Sequence, residues 1–176
     1  MTLDELKNQL PDYAKDLKLN LSSLINSQEL PKSLLWGSLL AAAFASHNKT
    51  VISVFHNEAK NYLTEEEITA VKAAAAIMAM NNIYYRFTHL ISKNEYATLP
   101  AGLRMNIMAN PGVEKKDFEY WSFVVSAING CGKCLDAHEA VLVKSGLSLN
   151  LIQIGAKIAA VIHGIARTLD IEEAIA

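Results

Sequence analysis

Glycine and proline are scarce in this chain, eight and four among 176 residues, and no Val, Thr or Tyr run alternates over a convincing strand length. The first scarcity leaves long uninterrupted stretches and the second removes the signature of a β-sheet. No uncharged apolar run reaches the roughly 18–20 residues that span a bilayer, so no membrane segment is expected. The candidates around Leu34–Ser46 and Ala73–Met80 are too short. There is no basic block and the net charge is −2, which argues against nucleic acid as the main partner. The opening MTLDELKNQL carries acids and lacks the apolar core of a signal peptide. Cysteine is nearly absent as well. The two that exist, Cys131 and Cys134, do not make a secreted disulfide framework; in a reducing cytosol they would cycle, so a cytoplasmic protein is expected.

What the chain has in quantity is helix-forming and apolar. Hydrophobic residues make up 51% and charged residues 19%, an excess that points to buried subunit interfaces and a homo-oligomer. The length suits one domain over residues 1–176. Ala, Leu, Lys, Glu and Ile dominate between the breaks, so the expected fold class is all-α. Helices are predicted over Asp4–Leu19, from Pro31 to Ser46, and from the capping box Thr64-Glu65-Glu66-Glu67 to about Leu90. Others are predicted from Lys116 to Asn129, from Cys131 to about Lys144, and from the N-cap Ser148 to about Thr168. A faint repeat runs at an offset of about 85 residues: Trp36-Gly-Ser-Leu-Leu lies over Trp121-Ser-Phe-Val-Val, and Lys72-Ala-Ala-Ala-Ala-Ile over Lys157-Ile-Ala-Ala-Val-Ile. Either a duplicated unit or the shared composition of Ala-rich helices explains it. In the first case residues 1–110 form a degenerate half, with Ser46 and Lys49 under the cysteines, and 111–176 carry the thiols.

The chemistry concentrates in Gly130-Cys131-Gly132-Lys133-Cys134, with His138 one helical turn later. Gly130 frees the backbone where a helix should begin, so the Cys-x-x-Cys occupies the first turn. The positive end of a helix favours thiolate over thiol and can lower a cysteine pKa from ~8.5 to about 3.5–7.5. Lys133 adds a cation. The sulfurs at i and i+3 share a face and can bond to each other, and His138, at i+4 from Cys134, projects over that face as a proton acceptor. In the preceding helix Glu119, Ser122 and Ser126 form a polar stripe in an apolar segment. A chain reversal at Gly130 would bring Glu119 level with Leu142, about one turn beyond His138. A carboxylate there would orient the imidazole and raise its basicity.

Competing readings weigh less. Structural zinc needs two ligands beyond the cysteine pair, and only His138 and a distant His47, His56, His89 or His163 remain, so no metal is expected. A thioredoxin fold would put the motif after a β-strand, and none is legible. His47, His56 and His89 read as surface or satisfied histidines, His163 as core, and Trp36, Trp121 and Phe123 as packing residues.

The run Glu119, eleven intervening residues, Cys-x-x-Cys, x-x-x-His resembles the alkylhydroperoxidase D family, within the carboxymuconolactone decarboxylase-like superfamily. The likeness is sharpest over residues 117–145. It implies an all-helical homotrimer that reduces the disulfide of a peroxiredoxin, alkyl hydroperoxide reductase C, and weakly reduces hydroperoxides itself. It also implies re-reduction by dihydrolipoamide, an external reductant and not a bound cofactor, on a lipoyl-bearing acyltransferase recharged by lipoamide dehydrogenase. Carried onto this chain, Cys134 is the nucleophile, forming a sulfenic acid or mixed disulfide. Cys131 is the resolving thiol and proton donor, His138 the base, and Glu119 its support in a proton relay. The helix-terminus argument alone favours Cys131 as the nucleophile; the i+4 histidine favours Cys134. Lys133 stands where the best-studied members carry histidine, and its ordinary pKa near ~10.4 makes it a poor proton shuttle. Disulfide exchange is therefore expected to outlast direct peroxide chemistry. Two rival readings are a carboxymuconolactone decarboxylase-like acid–base enzyme, which has no need of a dithiol, and a redox-sensing module that never turns over.

Overall fold

The computed structural model describes residues 1–176 and contains eight α-helices and no strand, an all-α single domain. They are α1 (Leu3–Gln9), α2 (Lys15–Asn26), α3 (Lys32–Ser46), α4 (Lys49–Ala59), α5 (Glu65–Leu90), α6 (Lys115–Asn129), α7 (Gly132–Lys144) and α8 (Leu149–Ile175).

Helices α3 and α6 pack against each other at the centre. Helix α3 also contacts α4, α5 and α8, and α6 contacts α5, α7 and α8. Both are buried nearly all round, as their sequences require: Leu34 to Ala43 in α3 and Phe118 to Ser126 in α6 are unbroken runs of buried residues. A helix apolar on every face needs neighbours on every side. The two approach closely because residue 37 is glycine. A Cβ there would collide with the Trp121 indole, which lies in the space a side chain would fill.

The capping box at the start of α5 forms as the sequence predicts. Thr64 Oγ1 accepts from the Glu67 amide at 3.2 Å, and Glu67 Oε2 accepts from the Thr64 amide at 2.8 Å. The helix expected over 4–19 is instead two. Leu10 takes an extended conformation ahead of Pro11, as a residue preceding proline tends to, and a 3₁₀ turn at Asp12–Ala14 leads into α2. Helix α4 was not anticipated, because Thr50, Val51, Ile52 and Val54 are β-branched and weak helix formers. Burial decides the matter: Val51, Val54, Phe55 and Ala59 all face inward, and Asn48 caps the helix by accepting from the Val51 amide at 2.9 Å. Helix α8 runs past residue 168 to Ile175. Thr168 and Leu169 are still buried, and Asn48 Nδ2 donates to Asp170 at 2.6 Å. By length and composition α8 could cross a membrane, yet half of its most apolar stretch is buried in the bundle.

Between α5 and α6 the chain makes 3₁₀ turns at Asn94–Thr98 and Asn106–Met108. The second brings Met105 and Met108 against α5 and α7, where they help wall the site.

Candidate active site: a cysteine pair with one sealed sulfur and a buried Glu–His contact

The site is assembled at the α6–α7 reversal. Gly130 ends α6 at φ 66°, a left-handed conformation that glycine adopts without a steric penalty. The Cys131 amide then donates to the Ser126 carbonyl at 3.2 Å, fixing the turn. Cys131 becomes the N-cap of α7, its Sγ accepting from the Cys134 amide at 3.3 Å. The two cysteines are joined as a disulfide, with Cα atoms 5.3 Å apart. They differ in access: Cys131 is 0% exposed, whereas Cys134 is 6% exposed and lines a cavity of about 240 Å³.

Because α6 and α7 run antiparallel across this turn, the glutamate and histidine meet. His138 Nδ1 lies 2.7 Å from Glu119 Oε2, and both side chains are buried. The helical registers alone put Glu119 one turn further along α7, level with Leu142, and the length of its side chain closes that turn. A carboxylate accepts only, so Nδ1 carries the proton, which fixes the tautomer of a neutral ring. The other ring nitrogen does not hydrogen-bond to Cys134. His138 Nε2 lies 3.2 Å from Met78 Sδ on α5, although His138 and Cys134 line the same cavity. Lys133 also lines it and holds its Nζ 5.5 Å from the centre of the Tyr85 ring. The structure thus brings together Cys131, Cys134, His138, Glu119 and Lys133. It leaves His47, His56, His89 and His163 outside the cavity lining. His56 is held below the usual imidazole range, chiefly by burial and then by Lys60 and Lys72.

The polar stripe of α6 divides into separate tasks. Glu119 meets His138; Ser126 Oγ accepts from Asn82 Nδ2 at 2.9 Å; and Ser122 is buried with no partner. Asn82 Oδ1 in turn accepts from Asn129 Nδ2 at 2.9 Å, and Arg86 donates to the Asn129 carbonyl at 2.6 Å. This chain of bonds ties the cysteine turn to α5. Sequence reasoning missed α5's contribution altogether: Met78, Asn81 and Tyr85 line the cavity, and Asn82 and Arg86 brace the turn. The available signal was Asn81-Asn82, two amides directly after the apolar, Ala-rich run Ala73–Met80. No group of three or more His, Cys, Asp or Glu side chains is arranged to hold a metal ion.

Fold and site together define a class: an all-helical protein with a cysteine pair closed at a helix N-terminus, backed by a buried Glu–His contact and facing a small cavity. Residues 94–176 match the carboxymuconolactone decarboxylase family. Over the whole chain, a Streptomyces griseus protein named alkyl hydroperoxide reductase AhpD is 57% identical across 176 residues, 100% of this chain and 99% of the relative. Proteins of the same name from Maricaulis maris and Coxiella burnetii are 56% and 53% identical over 98% and 97% of this chain, each covered to 99% and 98% of its own length. The chain belongs to the alkyl hydroperoxide reductase AhpD family, within the carboxymuconolactone decarboxylase-like superfamily. The likeness, which the motif concentrated in 117–145, therefore extends from end to end.

Proposed function

We propose that the protein is an antioxidant dithiol–disulfide oxidoreductase of the alkyl hydroperoxide reductase type. The observation that carries this reading is the asymmetry of the cysteine pair: Cys134 faces the cavity while Cys131 is sealed beneath it. Thiol–disulfide exchange needs one accessible sulfur to be attacked and one leaving sulfur held in place.

A thiolate of the external dithiol attacks Cys134 Sγ, forming a mixed disulfide and releasing the Cys131 thiolate, which takes a proton. The donor's second thiol then attacks its own bonded sulfur, closing the donor disulfide and freeing Cys134 as thiolate. Reduced Cys134 has two outlets. It attacks the disulfide of a peroxiredoxin, or it attacks the distal oxygen of a hydroperoxide, leaving a sulfenic acid and, after protonation, an alcohol. Cys131 resolves either product, regenerating the disulfide and releasing the reduced partner or water. His138 exchanges the Cys134 proton across the cavity, Glu119 holds the imidazole in its tautomer, and Lys133 supports the thiolate as a charge. With the disulfide closed there is no thiol proton to exchange, consistent with Nε2 resting against Met78.

Dihydrolipoamide is the reductant we favour, carried by a lipoyl-bearing acyltransferase and recharged by lipoamide dehydrogenase, with an alkyl hydroperoxide reductase C-type peroxiredoxin as partner. A reducing cytosol suits a pair that must cycle. A homotrimer would cover the apolar side chains Ile83, Phe87 and Leu90, which stand exposed along α5. The test is steady-state turnover of dihydrolipoamide with the oxidised peroxiredoxin. The reading expects catalytic cycling that disappears in Cys134→Ser and a trapped mixed disulfide in Cys131→Ser. Rapid turnover by the Cys134→Ser variant would overturn it.

A further inference from the structure

Adjacent asparagines in α5 have opposite fates. Asn82 spends its carboxamide on Ser126 and Asn129. Asn81 is equally enclosed, 5% exposed, yet its Oδ1 is sealed from solvent without any hydrogen-bond partner, and the residue lines the cavity that holds Cys134 and His138. An unmade hydrogen bond at a buried amide is costly, and such a group in a native structure calls for an explanation. Its Nδ2 makes no hydrogen bond either and, unlike Oδ1, is not sealed, so the donor is the end of the amide open to the cavity. Met78, Met105, Met108 and Tyr85 offer apolar, polarizable surface. Thioether walls suit an alkyl chain, and about 240 Å³ limits it to a small one.

We infer that Asn81 is the substrate-positioning residue of this site, holding the proximal oxygen of a hydroperoxide whose alkyl group lies against the methionines. This rests on the peroxide-reducing arm of the function proposed above. A hydroperoxide presents one O–H donor on the distal oxygen and an acceptor on the proximal oxygen. With Oδ1 sealed, the carboxamide presents its N–H₂ donor to the cavity, matched to the acceptor on the proximal oxygen. Sulfur is a weak acceptor, so an N–H donor here serves the oxygen of a peroxide far better than a disulfide. In the reaction the Cys134 thiolate bonds to the distal oxygen and the O–O bond breaks. Both electrons of that bond go to the alkoxide, which takes a proton and leaves as the alcohol. The N–H of Asn81 stabilises the negative charge growing on the proximal oxygen.

The experiment compares wild type with Asn81→Leu, which removes the amide at nearly constant volume, and Asn81→Ser, which keeps a hydroxyl donor and acceptor. Three quantities are read: reduction of tert-butyl hydroperoxide, exchange with the small aromatic disulfide dithiobis(nitrobenzoate), and melting temperature. The inference expects Asn81→Leu to lose peroxide kcat/KM on the order of 10²-fold, as for removal of one oxyanion donor. Disulfide exchange should stay within twofold or so and the melting temperature should rise, because an apolar isostere relieves the unmade hydrogen bond. Asn81→Ser should recover part of the lost rate. Unchanged peroxide kinetics in Asn81→Leu, or an equal loss in both reactions, would overturn the role of Asn81 while leaving the dithiol cycle standing. If the wild type exchanges disulfides but consumes no peroxide, the peroxide-reducing arm fails and this inference fails with it.

Discussion

Helices α3, α4 and α5 and helices α6, α7 and α8 follow the same order at near-equal lengths, 15, 11 and 26 residues against 15, 13 and 27. Even the first reversal corresponds, with His47 ending α3 at φ 62° and Gly130 ending α6 at φ 66°. A duplicated helical unit would account for the pattern. Yet at the offset of about 85 residues Leu34, Ser46, Lys49 and Ser53 stand where the second set has Glu119, Cys131, Cys134 and His138. The scaffold is common to both and the reactive groups are not. On the function proposed above, the chemistry depends on four side chains placed on one hairpin, and the first set lies outside it, with α5 supplying the opposite wall of the cavity.

The sharpest way to break that contrast is to move the thiols. Cys134→Ser should reduce turnover to background, and adding Ser46→Cys with Lys49→Cys should not restore it, because no Glu–His pair stands beside those positions. Steady-state kinetics of the single and triple variants decide this. Recovery of turnover in the triple variant would mean that helix geometry alone makes the site. Next in size is Glu119→Gln, which leaves the fold intact and takes the countercharge from His138. Turnover should fall on the order of 10²-fold, and the midpoint pH for alkylating Cys134 should move upward, as read by iodoacetamide kinetics. Gly37→Ala, where the two central helices meet, should cost roughly 1–3 kcal/mol by driving a methyl group into the Trp121 indole. That is about 2–4 °C of melting temperature per kcal/mol, measured by calorimetry. Smallest is Thr64→Ala, which removes the capping box of α5 for about 1 kcal/mol and should leave the kinetics of Cys134 unchanged.

Much of this architecture was legible beforehand because it rests on local rules. The capping box at Thr64, the break at Gly130 and the spacing of Cys131, Cys134 and His138 are short-range signals, and each lies where the pattern puts it. Glu119 was within reach because a hairpin turns two helical registers into one prediction. The losses share one cause, namely contacts that depend on distant packing. Helix α4 exists because Val51, Val54 and Phe55 are buried, against their local preference. Met78 takes up the Nε2 of His138 from 60 residues away, and no periodicity within α7 could announce that. Asn81 and Asn82 look alike in the sequence, and only the cavity on one side and Ser126 on the other tell them apart.

The most direct measurement is intact and peptide mass spectrometry of the reduced protein, first after one equivalent of alkyl hydroperoxide and then after dihydrolipoamide. The account predicts the loss of two hydrogen masses, mapped to a Cys131–Cys134 disulfide, and its reversal within seconds by the dithiol. Oxidation that stops at an isolated sulfinic acid, or a disulfide that dihydrolipoamide fails to reopen, would contradict it.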